Sequence, residues 1–420
     1  MKKIILILHI MLTFMFASDA TISVINQGIA LPKIALQDAS ENIQDINLKE
    51  KFFKIMLGDL KVSADFEIVK SENVTNFEGD ELTNILNDGT QFIFRYAIQG
   101  SVHSDMNLQT KLIDAKTGLT KYQKNYILNG EKYPFLAHKS IVDLTKELNL
   151  PSVEWMEKFI IFSKYTSAKE SDIVLADYTL TYQKTIISGK LNIFPKWGNK
   201  EQSIFYYTGY VNNKPTLFRY NLTNGNKTKI IDSNGMLIAS DVSNDGQKIL
   251  LTMAPQDQPD IYIFDLKTKS LNQITNYVGI DVNGNFVDND SRIVFVSDRL
   301  GYPNIFATDI YTKSVEQMVF HGKNNNSVTT YGNYIVYSSR ENSSNPSNSF
   351  NIYMISTKTD FIRQLTANGK NNYPRFSSDG ESIVFIKQIG SQSSLGVIRI
   401  NENKSFQFPL KIGKIQSIDW

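Results

Sequence analysis

Ile261-Tyr262-Ile263-Phe264-Asp265 closes an apolar run on a small polar residue, and the figure returns 44 residues later as Ile305-Phe306-Ala307-Thr308-Asp309. Working outward, it recurs as Ile173–Asp177, Leu217–Asn221, Ile352–Ser356 and Val397–Asn401. The anchors Asp177, Asn221, Asp265, Asp309, Ser356 and Asn401 are spaced by 44, 44, 44, 47 and 45 residues. Nine residues after each anchor stands an apolar side chain: Ile186, Ile230, Ile274, Met318, Leu365 and Leu410. Another apolar strand precedes each anchor, at Phe159–Phe162, Ile204–Tyr207, Ile249–Leu251, Ile293–Val296, Tyr334–Tyr337 and Ile383–Ile386. Four short strands in a period of about 40–45 residues mark a β-propeller blade, so six periods predict six blades.

Turns of the Ser243-Asn244-Asp245-Gly246 and Ser377-Ser378-Asp379-Gly380 type end the inner strand of a blade, as after Tyr373–Phe376. The first repeat has no inner strand of its own, whereas Ile415–Trp420 reads as an inner strand with nothing after it. We therefore expect the C-terminal strand to complete blade one, which removes two open sheet edges. Ser297-Asp298-Arg299-Leu300-Gly301-Tyr302-Pro303 shapes a hairpin in which Asp298 and Arg299 can pair.

Residues 21–152 follow a different pattern. Phe52, Met56 and Leu60 share one helical face, and Ile141, Leu144 and Leu148 mark a second helix that Pro151 helps to end. Phe92, Phe94, Tyr96 and Ile98 alternate as a half-buried strand, and Asp114–Gly118 reads as a turn. The expected fold class is an α+β N-terminal domain (21–152) followed by an all-β six-bladed propeller (157–420). Ahead of both, Lys2, Lys3, the apolar Ile4–Phe16 and the small-residue exit Ala17–Ala20 read as a signal peptide over 1–20. Cleavage is expected after Ala20 or, in competition, Ala17. The apolar run is too short to span about 30 Å of hydrocarbon, so the mature chain is expected to be exported without membrane insertion.

The composition narrows the chemistry. The 420 residues are 41% hydrophobic and 20% charged, enough apolar surface for real cores and too much for a disordered chain. A formal charge of +2 argues against nucleic acid, which needs a concentrated basic field. Zero cysteine excludes thiol catalysis, zinc–thiolate and iron–sulfur sites, and a lipidated N-terminal Cys. His103, His138 and His321 lie far apart with no metal-ligand spacing and read as structural or exposed. No nucleophile elbow, phosphate loop or dinucleotide fingerprint occurs. Asp281-Val282-Asn283-Gly284-Asn285-Phe286 imitates the opening of a calcium loop, but Phe286 stands where Gly is needed and Arg292 where a bidentate Glu belongs. It reads instead as an inter-blade loop, and Asp245, Asp290 and Asp379 as turn formers. No catalytic, cofactor or metal residue is assigned.

The Ser-x-Asp-Gly turns, Ser297-Asp298-Arg299-x-Gly301-x-Pro303-x-Ile305-Phe306 and the anchor Asp309 resemble the TolB family, periplasmic propellers of the Tol-Pal envelope system. Asp59-Leu60 with Phe66, and Ala137-His138 with Asp143, resemble that family's N-terminal helices. The resemblance implies a non-enzymatic, monomeric adaptor in the periplasm. It would bind the peptidoglycan-associated lipoprotein Pal over one channel mouth and a TolA-like inner-membrane protein through its N-terminus, supporting outer-membrane integrity and constriction during cell division. The Pal-type contact would map to loops entering the inner strands, with Met236, Asp241, Asn283, Asn285, Asn372, Tyr373 and Arg375; of these Tyr373 and Arg375 are the expected hot spots. The TolA-type contact would map to Thr21, Ile22, Ser23 and Val24, whose alternation suits a strand added to a partner's sheet or an ordinary first strand of the domain. Two other classes stand beside this one. One is a propeller enzyme, peptidase-like or glycan-acting, with its site in the channel. The other is a carbohydrate-binding propeller, disfavoured by having only Trp155, Trp197 and Trp420.

Overall fold

The computed structural model describes residues 30–420 except 42, 44, 75, 80–88, 341–348, 360, 391 and 412. The chain first lays down β1 (Lys33–Asp38), α1 (Ile46–Ser63), β2 (Glu67–Asn73), β3 (Phe92–Gln99), β4 (Asp105–Asp114), β5 (Thr120–Asn129) and α2 (Tyr133–Glu147). The strands form one sheet in the order β2-β1-β3-β4-β5, with β1 parallel to both its neighbours. The Asp45 carboxylate caps α1 by accepting from the Leu48 amide at 3.1 Å, and Ala64 ends it in the left-handed region at φ 64°. Pro134 sits in the first turn of α2, where its missing N–H costs no helical bond. Phe52, Met56 and Leu60 of α1 and Leu136, Ile141 and Leu144 of α2 are buried with Phe94, Tyr96 and Ile98 of β3.

Six four-stranded antiparallel sheets follow. Five are consecutive, with inner strands Ile193–Trp197, Leu237–Val242, Asp281–Val287, Lys323–Tyr331 and Lys370–Phe376. We number these blades 2 to 6. In the sixth sheet, blade 1, Lys414–Asp419 lies as inner strand beside Ile160–Ser167 and is followed outward by Glu170–Ala176 and Gln183–Ile187. Ser417 pairs with Ser163 across that seam, and their hydroxyls lie 2.7 Å apart.

Three local expectations need correction. Asp281–Val287 is an inner strand, not an inter-blade loop, and Met236–Asp241 and Asn371–Arg375 also lie almost wholly in strands. Arg299 does not pair with Asp298: its guanidinium bonds both carboxylate oxygens of Asp281, at 3.0 and 2.9 Å, and lies over Tyr277, Phe295 and Phe306. Asp298 instead accepts from the Ile280 amide at 2.8 Å. Finally, Ser382 pairs with Arg399 as Tyr334 pairs with Ser356, so Arg399, not Asn401, is the sixth anchor. A two-residue slip keeps every strand side chain on its face, so the apolar pattern alone could not separate the two registers.

The α+β region and the propeller share one core. Phe52, Tyr96 and Ile141 are continuous with Val174, Tyr178, Val397 and Ile418 of blades 1 and 6. At the junction Trp155, in a 3₁₀ turn over Glu154–Glu157, is fully buried and packs edge-on against Tyr178 and Trp420.

Candidate functional site

The propeller has two unlike mouths. Each inner strand starts at the upper mouth, where the preceding blade hands over the chain and the second and third strands of each blade join. It ends at the lower mouth, where it turns into its second strand.

Below, the channel opens a cavity of about 670 Å³. By their pairing with the second strand, Lys196, Asp241, Asn285, Thr329, Arg375 and Asp419 take an equivalent place near the inner-strand end of each blade, all lining that cavity. Their charges are spent on one another. Lys196 Nζ lies 3.3 Å from Asp241 and 3.1 Å from Asp419, and Arg375 Nε lies 3.4 Å from Asp419. The backbone completes the set: Trp197 N donates to Asp419 at 2.8 Å and Phe286 N to Asp241 at 2.9 Å. Asn285 and Arg375 both donate to the Val328 carbonyl. A bulge two residues upstream aims these side chains inward, and at that place Phe194, Asn283, Ser327 and Tyr373 adopt φ of 52–55°. Of the three turn acids, Asp245 and Asp379 cap their own turns, while Asp290 reaches across blades to the Asn244 amide at 2.7 Å.

The upper mouth carries apolar side chains in the open. Met236, Ile280, Val278 and Phe320, on connections leading into inner strands, are 45, 45, 88 and 83% exposed. Val211, Leu300 and Ile389, on the hairpins joining second and third strands in blades 2, 4 and 6, are exposed as well. This crown of side chains spans several blades, with the exposed charges of Lys214, Asp257 and Lys323 on the same connections.

The structure divides the residues expected at a channel mouth. Met236 belongs to the upper crown. Asn283, Asn372 and Tyr373 are half-buried in their inner strands near the upper end, Asn283 donating its amide to Thr252 Oγ1 at 3.0 Å. Tyr373 packs on the shared core. Asp241, Asn285 and Arg375 lie at the other end, in the lower ring, so the seven do not form one patch. Lys196, Thr329 and Asp419 of the ring, and Val278, Ile280 and Phe320 of the crown, went unnoticed. Aligning the inner-strand ends exposes the first set; the second carries no periodic signal, because its residues lie in connections. Thr21, Ile22, Ser23 and Val24 lie outside the described residues.

A polar cluster ties the N-terminal helices to blade 1. His138 of α2 is fully buried; its Nδ1 lies 2.7 Å from Asp59 of α1 and its Nε2 3.2 Å from the blade 1 anchor Asp177. Tyr178 donates its hydroxyl to Asp59. Burial opposes a charge on the ring, but the Asp59 and Asp177 carboxylates prevail and hold His138 up to about 10. Its structural role agrees with the sequence; its partners come from elements 79 and 39 residues away. Among the described residues, no helix is long and apolar enough to cross a membrane.

A closed ring of six blades, docked through a shared core on an α+β domain, with paired charges in its channel and exposed apolar side chains at the other mouth, defines a six-bladed propeller protein with an N-terminal α+β domain. The family described as the TolB beta propeller domain matches residues 158–420. Over 100% of both chains, the sequence is 53% identical to the Tol-Pal system protein TolB of Campylobacter jejuni and 47% identical to that of Wolinella succinogenes. The crystal structure of TolB from Acinetobacter baumannii superposes with a TM-score of 0.75 at 20% identity, covering 93% of this chain and 96% of that one, and so shares its fold. The chain belongs to the TolB family of Tol-Pal system proteins.

Proposed function

We propose that the chain is a non-enzymatic periplasmic adaptor of the Tol-Pal system. Its propeller binds a peptidoglycan-associated lipoprotein, and its N-terminal segment, Thr21–Val24 in particular, binds a TolA-like inner-membrane protein. The linkage supports outer-membrane integrity and constriction during division. The carrying observation is the set of exposed apolar side chains at the upper mouth, since exposed apolar residues rimmed by charges mark a protein contact. The lower ring supports the same choice of face: Asp241 and Arg375 are consumed by ion pairs, leaving Met236 as the exposed member of the expected set.

Calorimetric titration with the soluble domain of the lipoprotein tests this. Met236→Asp and Phe320→Asp each place a charge in the crown without touching a core, and each is expected to weaken binding by about 2 kcal/mol or more. Unchanged affinity in both variants, with the wild type binding, would move the contact elsewhere.

A further inference from the structure

The α+β domain meets the propeller at a second polar cluster, which the His138 contacts do not include. Asp65, two residues past the end of α1, is 4% exposed, and its Oδ2 has no hydrogen-bond partner. Three charged side chains of blade 6 face it: Arg399 at the end of the third strand, Glu402 in the following turn and Lys404 at the start of the fourth strand. Neither cation forms an ion pair with it. Arg399 is committed to Glu402 at 3.1 Å, to Ser382 Oγ at 3.3 Å and to the Ser152 carbonyl at 3.4 Å, while Lys404 Nζ points at the Ala64 carbonyl at 3.5 Å. Glu402 Oε2 and Arg399 Nε are also buried without partners. A buried carboxylate lacking a donor strongly favours its neutral form.

We infer that Asp65 is a proton-operated latch between the α+β domain and blade 6: neutral, it lets the end of α1 lie buried on the propeller, and ionised, it drives that contact open. Burial lifts its carboxyl from the ordinary range to about 7, with Arg399 and Lys404 opposing and Glu402 assisting. The sign follows. A carboxyl that holds its proton more tightly docked than undocked makes docking strongest in acid and progressively weaker up to about pH 7. The His138 imidazole does not share this response below pH 6.5, where it is protonated whether docked or free, while burial also raises the carboxyl of Asp59 beside it; comparison with an Asp65 variant separates the two carboxyls.

Hydrogen exchange of the full chain between pH 5 and 6.5, corrected for intrinsic rates, tests the latch. Protection of the last turn of α1 and of the Lys404–Pro409 strand is expected to fall by up to tenfold per pH unit more in the wild type than in Asp65→Asn. Glu402→Gln, which frees Arg399 to turn toward Asp65, is expected to weaken the slope in the same window and decides the matter if Asp65→Asn does not fold. Amides of the Ile204–Val211 strand in blade 2 serve as the control and should show no difference between wild type and variants. Equal slopes in wild type and variants, or a change of the same size in blade 2, would overturn the latch.

Discussion

At the scale of single residues, His138 shows how a family-like motif becomes physical. The helix pattern around Ala137-His138 was readable, but Asp59 and Asp177 could be joined to it only by folding, because each lies on a different element. The consequence is measurable. The native state holds the proton up to about 10, whereas the unfolded chain releases it near 6.5. The contribution is therefore complete below pH 6.5 and lost as pH rises toward 10. Denaturant unfolding followed by the fluorescence of buried Trp155 should show stability falling across that window. In His138→Gln that His-linked decline should vanish and stability at pH 6 should drop by about 3–5 kcal/mol, the cost of breaking a buried pair. Parallel pH profiles in the two proteins would exclude the clamp.

At the scale of elements, third strands were legible throughout, whereas inner strands were legible only in part, at Tyr373–Phe376 and Ile415–Trp420. Runs such as Ile261–Asp265 are buried on both faces and end in a side chain that caps the next turn; Asp265 and Asp309 each accept from two backbone amides. The inner strand Asp281–Val287 is polar at its start and bulged between Val282 and Asn285, so it reads as a loop. Helix boundaries were approximate for the ordinary reason that ends carry weak periodicity: the first helix runs Ile46–Ser63, and the second begins at Tyr133, well before its apolar stripe. Blade 1 turns on a single element. Asp419 of the closing strand bonds blade 2 through Lys196 and Trp197 and contacts blade 6 through Arg375. Deleting residues 414–420 should lower the melting temperature by ten degrees or more on the order expected when a whole core strand is lost, and Asp419→Asn by less. An unchanged thermal profile on deletion would mean that the seam contributes nothing.

At the scale of the whole molecule, the two faces of the propeller differ: ion-paired charges line the lower mouth and exposed apolar side chains stand at the upper one. The anchors of blades 1 and 6 also meet the α+β domain: Asp177 caps its turn by accepting from the Thr179 and Tyr182 amides and reaches His138 as well, and Arg399 donates to the Ser152 carbonyl. That domain therefore docks on the lower side, where the third and fourth strands join, and leaves the upper crown uncovered. None of this division was legible from the repeat alone, because period fixes how many blades there are and not which end of them is apolar. The most direct test of the account is a hydrogen-exchange footprint of the full chain with and without the soluble domain of the peptidoglycan-associated lipoprotein. The account predicts new protection at the connections carrying Met236, Val278, Ile280 and Phe320, and none at the lower turns around Asn244 and Ser378. Protection confined to those lower turns, or no protection at all under saturating partner, would contradict it.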